Sequence, residues 1–252
     1  MIHFLTYADD AYQHARERIK KEAEYFGKFD TITVLKRQDL DPEFINRHSR
    51  IFSESFGGGY YIWKPYVVKQ KLDKISEGDF LVYCDAGSCV NKNGIVRFNE
   101  YLNILQDFEI LCFQLDYNTF GSESKWTKCE IFEHFKTKIE HRMSSQVCAT
   151  IFVLKKGKHS TNFVNNWYNI LEEDDTLFDN KSRITQTKVF VETRWDQSIF
   201  SMLSKTSEGV KILKDETYPP RKSRKNPFIA TRSNKKHGHN SKYQLEKGIH
   251  IP

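Results

Sequence analysis

Gly57-Gly58-Gly59-Tyr60-Tyr61-Ile62-Trp63-Lys64-Pro65-Tyr66 is followed at a short interval by Phe80-Leu81-Val82-Tyr83-Cys84-Asp85-Ala86-Gly87-Ser88. Phe80 to Cys84 is a short apolar run rich in β-formers. Glu77-Gly78-Asp79 precedes it and Asp85-Ala86-Gly87 follows it, so it predicts a strand in the middle of a sheet. Open α/β sheets bind ligands just beyond the carboxyl ends of their strands, which presents Asp85 where a nucleotide or a metal ion could sit. A second reading stays open on the residues alone: Asp85 only begins a turn, and Gly87 supplies a positive φ.

Outward from that strand, helical and strand-like periods alternate. Ile2 to Tyr7 reads as a first strand, ending at Ala8-Asp9-Asp10, where a carboxylate can cap the following helix. Tyr12, Ala15, Ile19, Ala23 and Phe26 fall at helical spacing, and Thr31 to Leu35 reads as the next strand. This is a βαβ unit without the Gly-x-Gly-x-x-Gly of dinucleotide enzymes and without a phosphate-binding P-loop. Pro65 suits the first turn of another helix, with Val68, Leu72 and Ile75 inward. Lys64 then stands at the start of that helix, where free backbone N–H groups and an ammonium suit a diphosphate; the alternative is a surface lysine beside a core Trp63.

Glu109 to Leu115 and Ala149 to Leu154 predict two further strands, with a polar and aromatic excursion from Asp116 to Val147 that includes a small helix over 131–139. Phe163, Val164, Trp167, Ile170 and Leu171 make an amphipathic helix. After the polar loop 172–183 a helix begins near Thr193, with Trp195, Ile199, Met202 and Leu203 on one face and Asp196 and Gln197 in its first turn, pointing elsewhere. An early aspartate is favourable against the helix dipole, which is one reading of Asp196.

The chain of 252 residues suits one large α/β domain or two small ones, with ample length for a buried core. Its 19 Phe, 12 Tyr and 4 Trp imply an aromatic interior and an aromatic-lined cleft. No window has the length of a membrane span, and Asp9-Asp10 comes too early for a signal peptide, so a cytoplasmic protein is expected. The five cysteines, Cys84, Cys89, Cys112, Cys129 and Cys148, include no Cys-x-x-Cys pair and read as reduced and structural. The net charge of +6 is concentrated late, at Arg221, Lys222, Arg224, Lys225, Arg232, Lys235, Lys236, Lys242 and Lys247. Such a tail suits a nucleotide diphosphate, peripheral contact with an anionic membrane surface, or nucleic acid; the plain alternative is a solvated tail. A nucleic-acid module would need aromatic residues interleaved with the basic run, and only Phe228 and Tyr243 stand there.

The order Gly-Gly-Gly-Tyr-Tyr-Ile-Trp-Lys-Pro, then Tyr-Cys-Asp-Ala-Gly, then Arg194-Trp195-Asp196-Gln197-Ser198 resembles the small bacterial and large-virus glycosyltransferases of the GT-A fold, over roughly Ile2 to Leu203. The resemblance implies an α/β, Rossmann-like single domain spanning 1–252, with a mixed, mostly parallel central sheet flanked by helices. Residues 1–108 would bind the nucleotide sugar, 109–213 the acceptor, and 214–252 would form a basic tail acting as a lid. It implies transfer from a nucleoside-diphosphate sugar, with uridine as the expected base, to a hydroxyl of a glycan or glycoconjugate. Thr6 and Tyr7 would line the nucleoside, Lys64 the phosphates, and Asp85 would hold Mn2+ or Mg2+. Asp196 would orient or deprotonate the acceptor hydroxyl, with Gln197 near the sugar.

One departure stands out. Many GT-A enzymes offer Asp-x-Asp where this chain has Asp85-Ala86-Gly87, one carboxylate in place of two. The segment His237-Gly238-His239-Asn240-Ser241-Lys242 loosely resembles the late histidine and lysine of glycogenin-like transferases, so His237 or His239 could join the metal and Lys242 a phosphate. Another sugar-nucleotide enzyme, a nucleotidyltransferase or a hydrolase, is the alternative. Inversion and retention both remain open.

Overall fold

The computed structural model describes residues 1–217 and 225–231. In chain order the strands are β1 (Ile2–Tyr7), β2 (Thr31–Leu35), β3 (Phe80–Cys84), β4 (Cys89–Val90), β5 (Ile110–Gln114), β6 (Val147–Lys155), β7 (Val210–Lys214) and β8 (Phe228–Ile229). The longer helices are α1 (Gln13–Phe26), α2 (Trp63–Lys74), α3 (Ile95–Ile104), α4 (Lys158–Glu173) and α5 (Asp196–Thr206). Six strands form one sheet in the order β2-β1-β3-β6-β5-β7, with β6 antiparallel to both neighbours and the other pairings parallel. The expected mixed, mostly parallel sheet is therefore present. Its first three strands come from residues before 109 and its last three from residues after.

Period-two alternation divides the side chains between two cores. Leu5, Tyr7, Leu81, Tyr83, Ile110 and Cys112 face α2, α4 and α5. Phe4, Val82, Cys84, Leu111 and Phe113 face α1 and α3. In β6 the alternation slips: Val147 and Ala149 join the first core, Ile151 and Val153 the second, and Phe152 the first again. The cause is an irregularity in the ladder, where Leu111 faces Val153 but Phe113 faces Cys148, so β6 carries extra residues there. That irregularity lies beside the end of β3, because the Asp85 N–H donates to the Thr150 carbonyl at 2.9 Å.

Several expectations need correction. Asp9 makes no side-chain cap; a short 3-10 turn over Asp10–Tyr12 intervenes, and α1 starts at Gln13. Tyr12 is exposed, and Glu22 takes a buried place on α1, paired with Arg18 and accepting the Val90 N–H. The excursion after β5 holds three short helices, Tyr117–Phe120, Cys129–His134 and Ile139–Met143, and a 3-10 turn over Glu123–Lys125, in place of one. The tail is not solvated throughout: Phe228, Ile229 and Ala230 are buried, and β8 pairs with β4. Pro227 lies so near Gly94 that a Cβ there would meet its backbone. All five cysteines are free.

Candidate active site

β1 lies between β2 and β3, both parallel to it: the chain passes from β1 to β2 on one side and then crosses back past β1 to β3 on the other, so the winding reverses there. A crevice opens at such a reversal, beyond the carboxyl ends of the strands. Thr6 and Tyr7 end β1 and Asp85 follows β3, so these three predicted residues meet at one crevice. Thr6 is fully buried, and neither its hydroxyl nor that of Tyr7 has a hydrogen-bond partner among the described residues. The Tyr7 ring stacks on Trp63 at 4.0 Å, and burial holds its phenol well above the ordinary range.

The triple glycine supplies a backbone that other residues would resist. Gly57, Gly58 and Gly59 have φ of 60°, 60° and 96°, and Tyr60 and Tyr61 continue in the positive region at 50° and 62°. A Cβ on Gly57 would lie 2.6 Å from the Tyr61 ring, and one on Gly58 would lie 3.1 Å from the Asp9 carboxylate. The Trp63 indole N–H donates to the Gly57 carbonyl at 3.0 Å, tying this turn to the first residue of α2.

Lys64, the second residue of α2, stands at the centre of the site. It is only 3% exposed, and its Nζ lies 2.7 Å from Asp196 Oδ2 and 3.2 Å from Asp85 Oδ1. It also donates to the Ala149 carbonyl at 3.3 Å, within the irregular stretch of β6. The Tyr83 hydroxyl donates to Asp85 Oδ1 at 2.6 Å. Burial alone would lower the Lys64 pKa, but Asp196 and then Asp85 outweigh it and hold the ammonium above the usual lysine range. Burial pushes Asp196 the other way, up to about 6, against the lowering effect of Lys64. The Asp85 side chain keeps 26% of its exposure, whereas that of Asp196 keeps 4%.

The predicted residues are thus brought together, in a different arrangement from the one expected. Lys64 was expected toward donor phosphates; it lies beneath the two carboxylates, out of solvent. Asp196 was expected to point away from the packed face of its helix; it is buried at the start of α5, because Trp195 just before it takes φ 49° and ψ −121° and turns the chain sharply. Gln197 is a brace: its Oε1 accepts the Ala149 N–H at 3.3 Å and its Nε2 donates to Gln146 Oε1 at 2.8 Å. The turn after β3 forms, with the Ser88 N–H donating to the Asp85 carbonyl at 2.8 Å, but Gly87 has no positive φ. His237, His239 and Lys242 lie outside the described residues.

Tyr83, Tyr61 and Ala149 were given no site role in the sequence, where they stand only as motif and strand residues. Tyr83 was within reach of it, since residues i and i+2 of a strand share a face and its hydroxyl meets Asp85 in that way.

No group of three His, Cys, Asp or Glu side chains able to hold a metal ion occurs among the described residues. Asp85 offers one partly exposed carboxylate whose Oδ1 already serves Tyr83 and Lys64. This fits a divalent cation carried in by a diphosphate, which needs only one or two protein carboxylates, and not a preformed cage.

No family model matches the chain, and no curated protein matches it. Among solved structures it is similar to a glycosyltransferase involved in the glycosylation of the major capsid of PBCV-1, with TM-score 0.51 and 10% identity over 98% of both chains. The fold is that of the GT-A glycosyltransferases. Weaker likenesses are to mouse xyloside xylosyltransferase 1 (TM-score 0.47, 10% identity, 86% of this chain and 87% of that one) and to the galactosyltransferase LgtC (TM-score 0.45, 13% identity, 100% of this chain and 84% of that one). No helix among the described residues is long and apolar enough to cross a membrane.

Proposed function

We propose that this chain is a glycosyltransferase that moves a sugar from a nucleoside-diphosphate sugar, a UDP-sugar, to a hydroxyl of a glycan or glycoconjugate. The observation that carries it is the Lys64 ammonium clasped between Asp85 and Asp196 beyond the end of β3. Residues 1–108 take the donor, with Thr6 and Tyr7 at the nucleoside and Asp85 toward the diphosphate. Residues 109–213 take the acceptor.

The cluster supports this chemistry. A carboxyl whose pKa is near 6 is mostly ionised at neutral pH yet basic enough to accept a proton, as a general base must. The acceptor O–H gives its proton to Asp196, its oxygen bonds to the anomeric carbon, and the bond from that carbon to the phosphate oxygen breaks. The electron pair leaves with the nucleoside diphosphate. Lys64 stays charged throughout and keeps the two carboxylates from repelling each other apart. Because Asp196 is buried, only an acceptor that fills the cleft and displaces water reaches it. This role for Asp196 favours inversion.

Lys64 is a single ammonium serving two carboxylates, so the diphosphate needs further positive charge. Mn2+ or Mg2+ entering with the donor would be held by Asp85 and would neutralise the leaving group. The basic tail is the second source. Thr231 Oγ1 donates to the Gly87 carbonyl at 2.8 Å, so the chain departs beside the Asp85 turn. His237 or His239 at the metal and Lys242 at a phosphate would close the site as a lid.

The test is to incubate the protein with UDP-sugars, Mn2+ and a panel of mono- and oligosaccharides, then identify products by mass spectrometry. A glycosylated acceptor together with free UDP is expected. Pyrophosphate release, or free sugar without transfer, would instead point to a nucleotidyltransferase or a hydrolase.

A further inference from the structure

We propose that Phe56, Tyr60, Tyr61 and Trp195 form an aromatic shelf that binds a neutral pyranose of the acceptor by its C–H face, an inference that rests on the transferase reading of the same cleft. The rings form a continuous series from the donor end outward. Tyr7 stacks on Trp63 at 4.0 Å, and Trp63 lies 6.0 Å from Tyr61. Tyr61 lies 5.8 Å from Trp195, and Trp195 lies 4.4 Å from Phe56, between ring centroids. Tyr60 is parallel to Trp195 within 6° at 6.2 Å. The series passes the charged cluster on the way: Lys64 Nζ is 5.5 Å from the Tyr61 ring, and Trp195 immediately precedes Asp196. Its outer end is the farthest from the nucleoside position, where an acceptor rather than a donor belongs.

Three observations set this group apart from ordinary core. Phe56 is 51% exposed, so a large ring stands in water at the mouth of the cleft while touching three other aromatics. Scattered exposed apolar residues mean little, but a contiguous aromatic surface beside titratable groups is the composition of a ligand site. The backbone that presents the rings is held in a sparsely populated region at Tyr60, Tyr61 and Trp195, a form of strain that folds retain mainly at functional sites. The indole N–H of Trp195 is buried and has no acceptor among the described residues, whereas such donors are nearly always paired. A pyranose meets both needs: one face gathers C–H bonds for the rings, and its rim carries hydroxyl oxygens for the N–H. The flat apolar face and the lone donor favour an uncharged hexose or pentose over an acidic sugar.

The experiment uses saturation-transfer NMR on the full chain with methyl glycosides of glucose, galactose, xylose and rhamnose as probes, for the wild type, Phe56→Ala and Trp195→Phe. The UDP-induced thermal shift is measured on the same samples. Expected is transfer to the ring protons of at least one glycoside. Its affinity should fall about tenfold in Phe56→Ala, as for truncation of an aromatic anchor, and less in Trp195→Phe, while the UDP shift is kept. Glycoside binding without any UDP shift would support the shelf and count against the donor reading. No transfer to any glycoside in the wild type, or transfer undiminished in Phe56→Ala, would overturn the shelf whether or not UDP binds.

Discussion

Among the described residues two lysines are almost completely buried, and their character is opposite. Lys128, wholly buried, donates to the carbonyls of Thr176, Asp179 and Lys181 at 2.7, 2.9 and 3.2 Å and to Asp179 Oδ1 at 3.2 Å. Asp179 also receives Arg50 and Arg183, and its carboxyl is held down to about 2 even though burial opposes this, by hydrogen bonds from Arg183 and the Lys181 N–H and by the Lys128 charge. Everything there is matched, and the loop over 172–183 is stapled to the body. Lys64 has one carbonyl and two carboxylates, one of which reaches solvent. Burial lowers the Lys128 pKa on balance, whereas Asp196 and Asp85 overcome burial and raise that of Lys64. A buried cation enclosed by backbone oxygens holds a loop; the one shared by two acids at a strand end leaves a partly exposed carboxylate, that of Asp85, at the crevice.

Replacing the base should have the largest effect. Asp196→Asn is expected to cut transfer about 10²- to 10⁴-fold, the usual contribution of a positioned base, in steady-state assays with folding checked by circular dichroism. Wild-type kcat/KM should rise as pH passes upward through about 6, where Asp196 loses its proton, and that limb should be missing from the residual activity of the variant. Stability should run the other way. The folded value lies above the unfolded one, so this group adds stability below about pH 4 and loses it as pH rises through about 6. Between those limits, urea titrations should show Asp196→Asn gaining on the wild type by about 1 to 3 kcal/mol.

The two lysines can then be set directly against each other. Lys128→Ala should cost about 1 to 3 kcal/mol of stability by leaving the carbonyls of Thr176, Asp179 and Lys181 without their donor, Asp179 keeping Arg50 and Arg183, while the fraction that remains folded keeps its donor affinity. Lys64→Met should abolish transfer and also cost about 3 to 5 kcal/mol of stability, because Asp85 can turn to water but the buried Asp196 loses the ammonium that pairs it. Equal loss of transfer in both variants, scaled to folded protein, would erase the distinction.

A smaller effect concerns the tail. Ending the chain after Thr231 should leave the melting temperature unchanged and weaken UDP binding several-fold by calorimetry. Ending it before Arg221 should destabilise the protein as well, since it removes Phe228, which packs against Phe26 and Phe98. If only the larger truncation, before Arg221, weakens UDP binding, the residues beyond Thr231 have no part in the site. The smallest effect belongs to Gln197→Ala, which removes two hydrogen bonds of a brace and should cost about 1 to 3 kcal/mol in thermal or urea unfolding.

Much of the fold was legible because it rests on local pattern. Phe80 to Cys84 announces a buried strand by composition, and Asp85 announces its end. Lys64 could be placed at a helix start, but its burial could not be foreseen. Its partners come from a strand end, from a helix far along the chain and from a carbonyl freed by the β6 irregularity, and no local period records those meetings. Trp195 was taken as part of a helical stripe, whereas it sits just outside the helix with a positive φ that aims Asp196 inward. Phe228-Ile229 was hidden by its surroundings: two apolar residues after Pro227 in a cationic run read as tail, and only the close approach to Gly94 makes them a strand.

The most direct measurement is a thermal-shift series with UDP-, GDP-, TDP- and CMP-sugars, each with and without Mn2+, run beside Asp85→Ala. A ligand bound by the native state alone must raise the melting temperature. The expected result is no shift with Mn2+ alone, a rise with a UDP-sugar that Mn2+ enlarges, and loss of that enlargement in Asp85→Ala. An equal rise in Asp85→Ala, or no rise with any nucleotide sugar, would contradict a donor site at the end of β3.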